Sequence, residues 1–169
     1  MELHKKMQVK NEEIDKLFKN FMEKPTIELL KHYLEEEIVF PSSILRSTKY
    51  AGESKEKRIQ KSLFKQLIDK YEKENVATEY AVGGHWKMAI DVDMFNGTYG
   101  IELKVAEQLI KSATNVERLL GQVIYYNKRR YHGNMIVLVV GKATEYNSAI
   151  KELVEFIEEL GVHFIYKAV

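Results

Sequence analysis

Six consecutive apolar residues, Met135 to Val140, run without a polar interruption. A run that short and that continuous is the pattern of a strand buried on both faces. Such a strand has to sit inside a sheet that carries helices on its two sides, which makes the chain α/β before any other residue is considered. The neighbouring segments agree. Before the run, a helix is predicted from Thr114, whose spacing to Glu117 is that of a capping box, to about Tyr131, where Gly133 stops it. After it, a helix over Tyr146–Leu160 leads through Gly161 into a closing strand, Val162–Val169.

Upstream, Ser54–Lys73 carries Ile59, Leu63, Leu67 and Tyr71 at the helical period, with Glu56 and Gln60 beside that stripe in its first turns. Three strand candidates follow: Val76–Val82, Lys87–Met94 and Tyr99–Val105. Gly83-Gly84 separates the first two and a turn around Asn96-Gly97 the last two, so they form a meander. The order from residue 54 on is helix, three strands, helix, strand, helix, strand. It predicts a central mixed sheet of four or five strands flanked by helices. Residues 1–50 read as an N-terminal helical extension, with helices at about Asn11–Glu23 and Thr26–Ile38, ahead of a main domain over 51–169. Arg46–Gly52 is a polar loop between them.

With 169 residues and 45% apolar content, the chain can bury one core and has no room for a second full domain. It contains no cysteine, which excludes disulfides, thiolate zinc sites and cysteine-held iron–sulfur clusters. No apolar run approaches the length of a membrane span, and Met1–Lys10 alternates charge with single apolar residues. The expected protein is soluble and cytoplasmic, with no membrane partner. The net charge of +1 hides an asymmetry: seven basic residues stand between Lys104 and Lys142 against Glu107 and Glu117 alone, while Ala143–Val169 is net acidic. That distribution suits a polyanion held along one region.

The chemistry is concentrated in Ile90–Lys104. With Asn96 and Gly97 as the central residues of a tight turn, Phe95 pairs with Thr98 and Asp91 falls directly opposite Glu102. Strand alternation then puts Asp91, Asp93, Glu102 and Lys104 on one face and Ile90, Val92, Ile101, Leu103 and Val105 on the other. Two opposed carboxylates repel unless a cation lies between them. Mg²⁺ suits that place because it takes carboxylate oxygens, keeps waters and binds phosphate, and Lys104 could orient the attacking water or hold the phosphate.

Asp91, a hairpin and then Glu102-Leu103-Lys104 resemble the signature of the PD-(D/E)XK nuclease superfamily, and the element order resembles its restriction-endonuclease-like core. The resemblance covers roughly Glu53–Val140, with Ile90 where the motif's proline would stand. It implies Mg²⁺, with Mn²⁺ as substitute, bound by Asp91 and Glu102 with Leu103 in the metal set, and Lys104 assisting catalysis. It further implies an acidic residue from the preceding helix, for which Glu56 is the match and Glu53 the second choice. Gln122 and Tyr126 are similar to the Gln-x-x-x-Tyr element of RecB-like nucleases, which implies a catalytic place for Gln122 and DNA contact for Tyr126, joined by Lys128, Arg129 and Arg130.

The residues also admit plainer readings. A Glu-x-Lys triplet alone is common on solvated strands; basic residues at a helix end are favoured by the macrodipole without any DNA. Gly83-Gly84-His85-Trp86 reads as a turn, Asp93 and Glu79 are either ligands or solvated neighbours, and the five histidines have no ligand spacing. There is no Walker-type phosphate loop, so any motor is a separate partner. Two function classes therefore stand: a Mg²⁺-dependent deoxyribonuclease, and a non-cleaving nucleic-acid-binding or assembly module on the same fold. Within the first, a dimeric junction-resolving or restriction-type endonuclease and an exonuclease both stay open.

Overall fold

The computed structural model describes residues 24–46, 52–83 and 88–169. The predicted helix at Asn11–Glu23, most of the polar loop, and Gly84, His85 and Trp86 lie outside them.

Five strands form one sheet in the order β1 (Val76–Ala81), β2 (Ala89–Met94), β3 (Tyr99–Val105), β4 (Met135–Gly141), β5 (His163–Ala168). The first three are an antiparallel meander; β3–β4 and β4–β5 are parallel, so the sheet is mixed as expected. Parallel neighbours need a crossover, and the helices supply it. Helices α1 (Ile27–His32) and α2 (Lys55–Tyr71) lie on one face, while α3 (Ala106–Lys111), α4 (Ala113–Tyr126) and α5 (Ser148–Glu159) lie on the other. Each face has its own apolar core. Ile59, Leu63 and Leu67 of α2 meet Ile101, Leu103, Ile136 and Leu138 on one side, and Leu119, Val123, Ile150 and Ile157 meet Val137 and Val139 on the other. The Met135–Val140 run is thus split alternately between two cores, every residue of it fully buried.

Leu30, Tyr33, Leu34, Ile38 and Phe40 belong to the same core as α2 and the sheet. The described part of the N-terminal extension is therefore packed into the main core. Its helix turns π-helical over Tyr33–Glu37, and Gln66 of α2 ties the following strand-like segment through both the N–H and the carbonyl of Val39.

One element boundary departs from the sequence expectation, and one short helix was not expected. Thr114 and Glu117 form no capping box, because the helix already starts at Ala113 behind Ser112, and the short α3 that precedes it went unpredicted. A six-residue helix is too short to display a period of its own. At its other end α4 continues as a π-turn, Asn127–Tyr131, and ends where the sequence placed its end, with His132 and Gly133 both at positive φ.

Candidate active site

The β2–β3 register is the expected one: Val92 faces Ile101, Asp93 faces Gly100 and Met94 faces Tyr99. The turn is not. Four residues, Phe95 to Thr98, make the loop, three of them with positive φ, and Phe95 does not pair with Thr98. Opening one pair shortens both strands equally, which leaves every other partner unchanged. The expected Asp91–Glu102 pair is the next step outward, and there the ladder stops.

At that step the N–H of Leu103, which would continue the ladder, donates instead to the Asp91 carboxylate at 2.7 Å. The Asp91 carbonyl accepts from the buried Gln60 amide of α2 at 2.9 Å. On the opposite edge, pairing of β1 with β2 skips Glu79, which takes a positive φ of 53°. A positive φ in a non-glycine residue is strained, and such strain persists only where surrounding contacts enforce it. The interruption also shifts the alternation. Ile90 and Val92 would share a face in a regular strand, yet Ile90 packs in the core under α4 while Val92 packs under α2. The expected common face therefore needs correcting: Ile90 lies on the opposite side, Asp91 lies in the gap between strands, and Asp93 faces a different set of partners.

Into that gap, beside Asp91, come three charged groups. Glu102 and Lys104 alternate with the core residues Ile101, Leu103 and Val105 on β3, and Glu56 arrives from the first turn of α2, whose start is capped by Ser54. The Lys104 ammonium donates to Glu102 Oε1 at 2.6 Å, to the Leu103 carbonyl at 2.9 Å and to Glu56 Oε1 at 3.2 Å. The Glu102 side chain is 2% exposed, and its second oxygen, Oε2, has no partner. Gln122 reaches the same neighbourhood from α4, with its Oε1 also buried and unpartnered.

One ammonium thus serves three carboxylates. Burial is the largest influence on Glu102 and on Asp91 and pushes both carboxyls up; Lys104 opposes the rise in each, Asp91 and Glu56 add to it at Glu102, and Glu56 and Glu79 add to it at Asp91. Burial would lower the Lys104 ammonium, but Glu102, Glu56 and Asp91 outweigh it and hold the lysine charged. The surplus negative charge is therefore relieved by a proton or by another cation.

The donors present fit a hard divalent cation. Asp91 and Glu102 offer carboxylate oxygens, Leu103 a carbonyl, and the buried Glu102 Oε2 has no hydrogen-bond partner. No cluster of three or more acidic or imidazole side chains closes around one point among the described residues. Two carboxylates and a carbonyl with completing waters are within what Mg²⁺ accepts.

Asp93 is placed differently. It is buried and saturated: Oδ1 accepts from Tyr131 at 2.7 Å and Arg130 Nε at 3.0 Å, and Oδ2 from the Gly97 N–H at 3.0 Å. Gly100 opposite it makes this possible, since a Cβ there would stand 2.6 Å from the Tyr131 ring. Arg130, expected on nucleic acid, donates its Nε to Asp93 and lies 4.1 Å over the Tyr80 ring, while its Nη2 has no partner. Tyr126, likewise expected on DNA, is fully buried, its hydroxyl donating to the Ala89 carbonyl at 3.0 Å. It holds the start of β2 from within. Lys128 and Arg129 remain exposed at the end of α4, and Glu79 pairs with Lys57 at the surface. Glu53, the second choice beside Glu56, pairs with Lys61.

The sequence reading missed Asn115, Arg118 and Gln108, which line a cavity with Lys104, Glu56 and Gln122. Their signal was available, because Asn115, Arg118 and Gln122 are spaced three and four residues apart on one helix face. No family model, no curated protein and no solved structure matches the chain. No helix among the described residues is long and apolar enough to cross a membrane.

Proposed function

We propose that the chain is a Mg²⁺-dependent, cytoplasmic deoxyribonuclease with a PD-(D/E)XK-type reaction centre on a restriction-endonuclease-like core. The observation that carries the reading is the strand break at Asp91. It gathers Asp91, Glu102, Lys104 and Glu56 in one gap and leaves a buried Glu102 oxygen without a partner.

Asp91 and Glu102, with the Leu103 carbonyl, would hold the cation. When bound, Mg²⁺ would polarise the phosphodiester and lower the pKa of a water so that hydroxide, the stronger nucleophile, is available. The chain's own groups then position the reactants. Lys104, held charged by Glu102, Glu56 and Asp91, would present its ammonium to the attacking water or to a phosphate oxygen. Glu56 keeps that ammonium within reach from the other side. Gln60 fixes Asp91 through its carbonyl, so the carboxylate stays aimed at the gap. Lys128 and Arg129 supply phosphate contacts at the surface.

The test is incubation of the protein with Mg²⁺ or Mn²⁺ and a panel of single-stranded, duplex, flap and four-way DNA. Wild type cuts at least one substrate, while Glu102→Gln and Lys104→Ala keep the folded circular-dichroism spectrum and lose cutting. Cleavage that persists in both variants removes the proposal. DNA binding indifferent to Mg²⁺, with no cutting of any substrate, replaces it with a non-cleaving binding module.

A further inference from the structure

A second cavity lies beside the reaction centre. Asn115, Arg118 and Gln122 of α4 and Gln108 of α3 enclose 170 Å³ together with Lys104 and Glu56. Glu56 is the wall this cavity shares with the one lined by Asp91 and Gln60. The space is smaller than the few hundred Å³ of a site that swallows a whole small ligand, so it fits one group of a larger molecule.

The lining says which group. Lys104 and Arg118 are positive and Glu56 is the one acid; Glu56 is already bonded to Lys104. Arg118 makes no ion pair or side-chain hydrogen bond among the described residues, and it is exposed. Asn115 is held by its amide on the Gln108 carbonyl at 2.8 Å, which fixes the wall from which Arg118 projects one turn on. A guanidinium presents paired N–H donors matched to phosphate oxygens.

We infer that this cavity is a second phosphate subsite, in which Arg118 holds the phosphodiester next to the one at Lys104 on a single DNA strand. The inference rests on the nuclease reading for what lies at Lys104, but it concerns binding and is tested separately from cutting. The strand would run from the gap at Asp91, past Glu56, into the space under α4. Holding a neighbouring phosphate fixes the scissile one, because one backbone contact alone leaves the strand free to slide.

The experiment measures equilibrium binding of a fluorescent single-stranded oligodeoxynucleotide by anisotropy, with Ca²⁺ in place of Mg²⁺, for wild type, Arg118→Ala and Arg118→Lys. A series of oligonucleotides carries one neutral methylphosphonate at successive positions. Arg118→Ala should bind about tenfold more weakly and lower the slope of log affinity against log salt by about 1, with Arg118→Lys recovering part of both. One methylphosphonate position should weaken wild type and leave Arg118→Ala unaffected. Unchanged affinity and slope in Arg118→Ala overturn the subsite. So do methylphosphonate losses that add in full to the Arg118→Ala loss at every position. Wild type that shows the expected pattern but cuts nothing leaves the subsite standing and removes only the hydrolysis. Wild type that cuts while Arg118→Ala binds normally does the reverse, and wild type that does not bind DNA removes both.

Discussion

Asp91 and Asp93 are two residues apart on one strand, both on a hairpin of the expected register, and their surroundings are opposite. Asp93 is closed. Tyr131, Arg130 and the Gly97 N–H fill its two oxygens, and the π-turn at the end of α4 delivers both side chains to it. Asp91 is open: its strand is unpaired on either side, its neighbour Glu102 keeps an orphaned oxygen, and three carboxylates compete for Lys104. A buried charge with a full set of donors specifies structure, whereas a buried surplus of like charge costs stability and is kept only where something else benefits. The difference separates a latch from a candidate reaction centre more sharply than residue type does.

The comparison breaks most readily at the latch. Asp93→Ala leaves the buried Tyr131 hydroxyl and the half-buried Arg130 without their acceptor and should cost about 3 kcal/mol of stability in urea unfolding; a loss under about 1 kcal/mol would mean the network holds nothing. At the open site the same assay should run the other way. Mg²⁺ at a hundred times its dissociation constant should stabilise wild type by about 2.7 kcal/mol, and this gain should vanish in Glu102→Gln. A gain of equal size in Glu102→Gln would place the cation elsewhere.

Proton linkage sharpens the contrast further. Folding raises the Asp91 and Glu102 carboxyls, Glu102 to about 8, so the native state binds more protons than the unfolded chain between the ordinary carboxylate range and that pH. Stability without metal should therefore be fullest in acid and fall as pH rises toward 8, by at most about 1.4 kcal/mol per pH unit for each extra proton held. Glu102→Gln should flatten that profile. A profile in which wild type gains stability over the same window would show the carboxylates already charge-matched. Because the cation requires the carboxylates ionised, its affinity should rise with pH across the window. The smallest effect belongs to the exposed α4 end. Lys128→Ala and Arg129→Ala should leave stability within about 0.5 kcal/mol while each lowers the salt slope of DNA binding by about 1.

Much of the framework was legible in the chain. The hairpin register follows from the positions of Asn96 and Gly97 and survives the wrong turn length, because adding a loop residue at each end preserves every remaining pair. Glu102 and Lys104 on one face with Ile101, Leu103 and Val105 behind them follow from the two-residue period of a strand. Glu56 follows from the resemblance, which implies an acid on the preceding helix; the stripe of Ile59 and Leu63 only places it beside the apolar face. Tyr126 and Arg130 could not be placed. Their helix carries polar and aromatic residues whose burial depends on how α4 docks, and on a π-turn that adds a residue to its last winding.

The sequence alone determined what repeats locally: the doubly covered strand, the mixed sheet, and the acid and lysine alternation on β3. Those patterns come from backbone sterics and side-chain alternation within a few residues. Only the tertiary structure decided that β2 parts from its neighbours at Asp91, that Lys104 reaches Glu56 across 48 residues of chain, and that Asp93 is closed by Arg130 across 37. Contacts of that range depend on which helix face packs on which strand. That choice is made by the cores on the two sides of the sheet together and is written in no single segment.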